Sequence, residues 1–531
     1  MPVLELHDNG TVCRIPFTTG RSVRDILDAT TTRVRSGCNG SGACGMCKVR
    51  VEAGRVNEIT TREEYFIDEL QAGHGVRLAC QLVADGDLTI RILSPAPRST
   101  WRSLSPESVY DVRETVPGDI SDGAETYGIA IDLGTTQISL SLLSLRSGRR
   151  LAGRCGRNPQ GDSGTDVMTR LVSASGSSGQ AAKIGGLAVR AIGEGIQDIA
   201  NREGVDLNQV IHIAIVGNTA MLALLAGRNY ELLVSPETWM GTIDCTPRDT
   251  TSWKAAWELP GTLTVDLLPP AGGFIGSDLL AGVLATGLMD SILPGLFIDF
   301  GTNTEIAFWD GRTLLVTSAA GGPAFEGCGI RCGIPAEPGA VCHVRLEGGV
   351  TTMETIPGKE PCGICGTGII DFIAGLVRSE ILNEKGQFAP AYAESGFVLA
   401  GGDPVLVIKK GDVDVFQRAK AAVGSGIQIL MNEAGIRYPD LDRVYVGGTF
   451  GRSLDIVNAI DLGLLPPVPP DRIELCGNTA LAGCELALRS PSASNRLREI
   501  GEQAQVINLA DHRDFNDIYL ENLFLRPLEG R

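Results

Sequence analysis

The chain is 531 residues long, 43% apolar and 21% charged, and its 46 Lys and Arg against 63 Asp and Glu leave a net charge of −17. That length exceeds what one hydrophobic core fills, so several domains are expected. The acidic balance excludes a broad nucleic-acid surface or an anionic membrane as partner, and the longest apolar run, "LLAGVLATGLM" before Asp290, is too short to span a bilayer.

The N-terminal "MPVLELHDNGTVCRI" alternates as strands do and has no charged leader ahead of an apolar core, so no signal peptide is read and a cytoplasmic chain is expected. "PVLELHD" and "TVCRIPF" flank Asn9-Gly10, a strong hairpin signal. "SVRDILDAT" has helical character, with Ser22 placed to cap it. A cysteine loop follows, then a strand "KVRVEAG", a helix "REEYFIDEL" and strands "VRLACQL" and "DLTIRIL". Residues 1–93 therefore read as an α+β unit of the β-grasp kind, a sheet wrapped over a helix.

The loop, "SGCNGSGACGMCKV" at 36–49, holds Cys38, Cys44 and Cys47 in C-x5-C-x2-C, and Cys80 follows after 32 intervening residues. In a reducing compartment the 14 cysteines point to metal ligation or burial rather than to disulfides. Four thiolates suit a 2Fe–2S cluster, two to each iron. Backbone N–H groups must then turn inward against the sulfur charge, which Gly37, Gly40, Gly42 and Gly45 permit. The five-residue first gap resembles adrenodoxin-like ferredoxins more than plant-type ones. A zinc site, more often built from paired C-x2-C knuckles, and unligated thiols are the alternatives.

Residues 94–126 hold four prolines and little apolar periodicity, which reads as a linker, with Trp101 and Tyr110 as candidates to pack on a neighbour. From Tyr127 onward strands and helices alternate in α/β rhythm. "YGIAIDL" and "QISLSLLSL" are strands, "QAAKIGGLAVRAIGEGIQDIANRE" is helical, and the strand "VIHIAIVG" leads into "AMLALLAG". "SASGSSGQ" has the composition of a surface loop. "IAIDLGTTQISLSLL" at 129–143 is echoed 167 residues on by "LFIDFGTNTEIAFWD" at 296–310. Residues 127–531 are thus expected to be two duplicated halves sharing a cleft, the second beginning near 295.

Each echoed stretch is a strand ending in Asp-x-Gly-Thr. Gly134, Thr135 and Thr136 in the first, and Gly301, Thr302 and Asn303 in the second, let backbone amides and side-chain donors approach phosphate. Asp132 and Asp299 stand where they could hold Mg²⁺ through water, or orient an attacking water. A third strand, "RVYVGGTFGRS", ends in Gly447 and Gly448, bare backbone for an adenosine. One such turn is common; two copies followed by the strand and glycine pair narrow the reading to nucleotide binding. No P-loop and no Rossmann glycine fingerprint is present in the sequence. The pattern is similar to that of the acetate kinase, sugar kinase and actin superfamily, which implies two RNase H-like subdomains clamping ATP. Glu305 faces either the same cleft or solvent. Cys328, Cys332, Cys362 and Cys365 read as small buried residues in glycine-rich turns, with a second metal site as the alternative.

A 2Fe–2S domain, a linker and an actin-like ATPase on one chain resemble the ATP-dependent reductive activators of corrinoid proteins. "NPQGDSGTDVMTRL", "IVGNTAML", "AAGGPAFEG", "GICGTGIIDFI", "YVGGTFG" and "GNTALAGC" are further segments similar to that family, so the likeness covers nearly the whole chain. The resemblance implies transfer of one electron from the cluster to Co(II), regenerating Co(I) for methyl transfer at the cost of ATP. No D-x-H-x-x-G corrinoid motif is present, so the corrinoid is expected on a partner protein, with a further protein reducing the cluster. A homodimer is left open. Two other readings remain: a small-molecule kinase carrying a redox sensor, and a plain electron-transfer subunit that hydrolyses no ATP.

Overall fold

The computed structural model describes residues 2–529 other than 9–10, 18, 29–31, 33, 36–39, 41, 96–100, 105–108, 113–124, 165, 349, 357–359, 402–404, 449 and 451. The expected Asn9-Gly10 turn, Gly37 and Cys38 lie outside the described residues.

Strands β1 (Val3–Asp8), β2 (Thr11–Pro16), β3 (Lys48–Val56), β4 (Val76–Leu78) and β5 (Ala84–Ile92) form one sheet in the order β2-β1-β5-β3-β4, with β1 and β5 parallel. Alternation puts Leu4, Leu6, Leu88 and Ile90 on one face, where they bury Val23, Ile26 and Leu27 of the helix Val23–Asp28. "REEYFIDEL" is not one helix. The helix Thr61–Phe66 stops, and Asp68 caps a second, Glu69–Gly73, by accepting from the Gln71 N–H at 2.8 Å. "VRLACQL" leaves the sheet after Leu78, because the chain turns back there through Leu82 N–H to Leu78 O at 3.0 Å.

The remainder holds two sheets of the same build. In the first, β6 (Arg102–Ser103), β7 (Tyr127–Leu133), β8 (Gln137–Ser144), β9 (Arg150–Arg157), β10 (Val210–Gly217) and β11 (Thr264–Leu267) lie in the order β11-β10-β7-β8-β9-β6. Strands β12 (Gly295–Phe300), β13 (Thr304–Trp309) and β14 (Leu314–Ala319) open the second half. A small sheet of β15 (Ala340–Glu347), β16 (Val350–Thr355) and β17 (Gly363–Ile364) and a hairpin of β18 (Phe397–Ala400) and β19 (Leu406–Ile408) follow. Finally β20 (Arg443–Gly448), β21 (Ile473–Gly477) and β22 (Ala504–Val506) complete the order β21-β20-β12-β13-β14-β22. In both halves an antiparallel meander of three strands is extended by two parallel ones on the side of its first strand. The echo in sequence is therefore a repeat in topology.

The halves meet along the helices Ser277–Thr286 and Thr479–Arg489, in a core that also takes Ala130, Val216, Phe297 and Ala307 from both central sheets. "SASGSSGQ" departs from its expected loop. It is the junction of the helices Val167–Ser175 and Ser178–Glu203, where the Ser177 hydroxyl caps the second by accepting from Gln180 N–H. Trp101 and Tyr110 of the proline-rich stretch are both buried, and the Tyr110 hydroxyl donates to Glu474 at 3.0 Å. Among the described residues no helix is long and apolar enough to cross a membrane.

Candidate cluster loop and nucleotide cleft

Cys44, Cys47 and Cys80 are all buried at one corner of the first sheet. The Ala79 N–H donates to Cys47 O at 2.8 Å, which draws the turn carrying Cys80 against the loop. The Gln81 amide then spans the gap, donating to Gly40 O at 3.1 Å and to Cys80 Sγ at 3.6 Å. Gly40, Gly42 and Gly45 have φ of +87°, +77° and +67°, and a Cβ on Gly45 would stand 2.4 Å from the Phe66 ring. The loop thus needs glycine for both conformation and space. Among the described residues no three His, Cys, Asp or Glu side chains gather as a single metal ion requires. A 2Fe–2S cluster instead spreads four thiolates over two irons, and the expected fourth ligand, Cys38, lies outside the described residues. Buried thiols on a glycine-built loop fit that group. Cys332 donates to Val407 O at 3.4 Å and Cys365 pairs with the Thr367 hydroxyl at 3.4 Å, so these two behave as packing residues.

The two Asp-x-Gly-Thr turns face each other. Thr136 Oγ1 of the first lies 3.1 Å from Thr302 Oγ1 of the second. Asn158, buried, fixes the first turn from outside: its side chain donates to Gly134 O at 2.9 Å and its N–H to Thr136 O at 2.8 Å. Asn218 donates to Thr135 Oγ1 at 2.8 Å while capping its own helix at Met221 N–H. In the second turn Gly301 N–H donates to Asn303 O at 3.1 Å. The Gly447-Gly448 pair lies in register with Asp299 and Phe300. A Cβ on Gly448 would stand 2.0 Å from Phe300 O and 2.5 Å from Asp299 Oδ1. The protein's own backbone therefore already demands glycine there.

Five carboxyl groups line this cleft, and burial pushes all of them up. Asp132 rises to about 6, against a hydrogen bond from Asn478 at 2.7 Å that favours its charged form. Asp278 rises to about 7, with the Asp132 charge adding to burial, and Asp299 to about 8, with Asp278 and Asp132 adding. Glu305, opposite Asp299 in the β12–β13 pairing and buried, is held well above the usual carboxylate range by burial, Asp278 and Asp299. Glu326 is raised by burial in spite of two hydroxyl donors. Crowded, poorly solvated carboxyls invite a cation. Arg170, buried, adds positive charge on the Glu326 side, with its Nε on Gly164 O at 2.6 Å and its Nη1 on the Met221 sulfur at 3.2 Å.

Sequence reasoning named Asp132, Asp299, the turn residues and Glu305, and the structure brings them together. It missed Asp278, Glu326, Arg170, Asn218 and Asn478. The available signal was a repeated Gly-Asn-Thr-Ala after a strand, at 217–220 and 477–480, each asparagine capping a helix and reaching into the cleft.

Comparison with known proteins finds three family models matched in turn along the chain. Residues 6–85 match the 2Fe-2S iron-sulfur cluster binding domain, 127–291 the RACo middle region, and 294–529 the C-terminal domain of RACo, the ASKHA domain. The corrinoid activation enzyme RamQ of Eubacterium limosum is 31% identical over 422 residues, 75% of this chain and 70% of that protein. The [Co(II) methylated amine-specific corrinoid protein] reductase of Methanosarcina barkeri is 30% identical over 433 residues, 74% of this chain and 76% of that protein. A solved reductive activator for corrinoid,iron-sulfur protein shares the fold with a TM-score of 0.67 at 24% identity, covering 100% of this chain and 99% of that one.

Proposed function

The chain belongs to the RACo family, and on that premise we propose that it is an ATP-dependent reductive activator. It returns the Co(II) of a partner's corrinoid to Co(I), the state from which methyl transfer proceeds. Cys38, Cys44, Cys47 and Cys80 hold the 2Fe–2S cluster, which supplies one electron at a time. A separate protein reduces it.

In the cleft, Thr135, Thr136, Thr302 and Asn303 bind the phosphates, while Gly134 and Gly301 let backbone N–H groups come close. Asp132 and Asp299 hold a hydrated Mg²⁺, whose charge offsets the burial that raises both carboxyls. Adenosine rests on Gly447 and Gly448. ATP acts by binding one state of the complex with Co(II) better than the other. A bias of about 5.5 kcal/mol turns a 1:99 population into 99:1, which for one electron at roughly 59 mV per tenfold is about 240 mV.

The observation that carries the reading is contact between the two devices. Tyr65, on the helix beside the cysteine loop, packs its hydroxyl onto Gly411 of the second ATPase half, 2.5 Å from where a Cβ would be. The test is anaerobic absorbance of a Co(II) corrinoid protein mixed with this protein and a reductant. Co(I) is expected only with Mg-ATP and only in the iron-loaded protein. ATP hydrolysis without any Co(I) would favour a kinase instead.

A further inference from the structure

Of the cleft's carboxyl groups, one spans both sides. Glu326 ends the turn Pro323–Glu326 that follows β14, and it accepts from Thr136 Oγ1 of the first hairpin and Thr302 Oγ1 of the second, each at 3.0 Å. Among the described residues no other carboxyl of the cleft accepts from a hairpin hydroxyl. Asp132 takes the Asn478 amide, Asp278 takes the neighbouring Leu279 N–H at 3.0 Å, and Asp299 lies behind Gly448. A terminal phosphate gripped by both hairpins must meet the Thr136 and Thr302 hydroxyls, which puts Glu326 one hydrogen bond beyond it.

We propose that Glu326 positions and deprotonates the water that attacks the terminal phosphate of ATP. The inference rests on the cleft being the ATP site. In the step, the water oxygen forms a bond to the terminal phosphorus while one of its protons passes to a Glu326 carboxylate oxygen. The bond from that phosphorus to the β–γ bridging oxygen breaks, and ADP leaves with the electron pair. The proton is later shed to solvent, restoring the carboxylate. Burial raises this carboxyl above its ordinary value while two hydroxyl donors and the Arg170 charge oppose the rise, and a carboxylate raised in this way is the stronger base.

The experiment compares wild type, Glu326→Gln and Glu326→Asp for phosphate release from Mg-ATP, in the presence of a Co(II) corrinoid protein and reductant, and for binding of a fluorescent ATP analogue. Glutamine keeps the size and an acceptor oxygen but takes no proton. The expected result is a kcat for Glu326→Gln lower by about 10²–10⁴-fold, with KM and analogue binding within about threefold of wild type, and partial recovery in Glu326→Asp. Hydrolysis near the wild-type rate in Glu326→Gln would overturn the inference. So would a parallel loss of binding and turnover, which marks a structural role. Absence of hydrolysis in wild type itself would bring down the activator reading, and this inference with it.

Discussion

Glu63 sits at the root of the cysteine corner. It is fully buried and takes both ends of the Arg77 guanidinium, at 2.8 and 2.9 Å, together with the Leu78 and Thr60 N–H groups at 2.9 Å each. Burial alone would raise this carboxyl, but Arg77 and the backbone donors outweigh it and hold it below its usual range. Removing one member of such a pair strands the other, so Glu63→Gln should destabilise the N-terminal unit by about 3–5 kcal/mol and lower its iron content, read by visible absorbance and denaturant titration. Because the folded-state value is depressed, this stabilisation is present above the unfolded value near 4.5 and is lost as pH falls through the folded one. Lys420 behaves oppositely. Burial pulls its ammonium down to about 7 from 10.5, and its Nζ donates to Phe524 O at 2.7 Å in the C-terminal segment. The unfolded chain then binds more protons between pH 7 and 10.5, so this group adds stability as pH rises. The stability difference between wild type and Lys420→Met, followed by denaturant midpoint, should move in favour of wild type from pH 7 to pH 10.

The helix Thr479–Arg489 is where the ATPase halves are tightest. A Cβ on Gly483 would stand 2.0 Å from Ala281 O of the facing helix, which leaves no way to add a methyl without separating the pair. Gly483→Ala should cost about 1–3 kcal/mol in thermal or denaturant unfolding, although alanine is the better helix former in isolation. At this scale the sequence was readable where its signals are local. Each Asp-x-Gly-Thr turn is written in five consecutive residues, and β7 and β12 read as strands because both faces are buried and apolar. Glu326 was not readable as a cleft residue, since its hydroxyl partners lie 190 and 24 residues away. Asp278 was not readable as a cleft residue either, because nothing local marks a helix start that points into a cleft. "SASGSSGQ" misled for a related reason: serine and glycine compose loops, yet one capping serine between two helices has the same composition.

In the whole molecule, one short segment connects the cleft to the ferredoxin-like unit. Five residues beyond Glu326, Arg331 places its guanidinium 5.5 Å from the centre of the Tyr65 ring, while its N–H donates to Asp412 at 2.7 Å. The intervening turn is rigid, because a Cβ on Gly327 would stand 2.5 Å from Ile334 N and one on Gly333 2.1 Å from Gly327 O. Six residues past Arg331, Glu337 pairs with Arg35 at the edge of the cysteine loop, both side chains being less than one-fifth exposed. Burial and the nearby Arg331 charge both pull the ammonium of Lys48, next after Cys47, below its ordinary value. A shift of this segment as the cleft closes would thus be felt at the cysteine corner without crossing a flexible joint. The double variant Arg331→Ala, Glu337→Arg removes the ring contact and replaces the ion pair with two like charges facing each other, while leaving the cysteine loop and the cleft carboxyls unsubstituted. A compact chain of this length has a radius of gyration of about 24 Å; the wild type should scatter X-rays near that value and the variant above it. Cluster absorbance should be unchanged and ATP turnover within about threefold of wild type, since neither substitution falls among the cluster cysteines or the cleft residues. Co(I) formed per ATP consumed should fall. If Co(I) yield stayed at the wild-type level while the radius grew, the docked arrangement would not be the one that couples ATP to the electron.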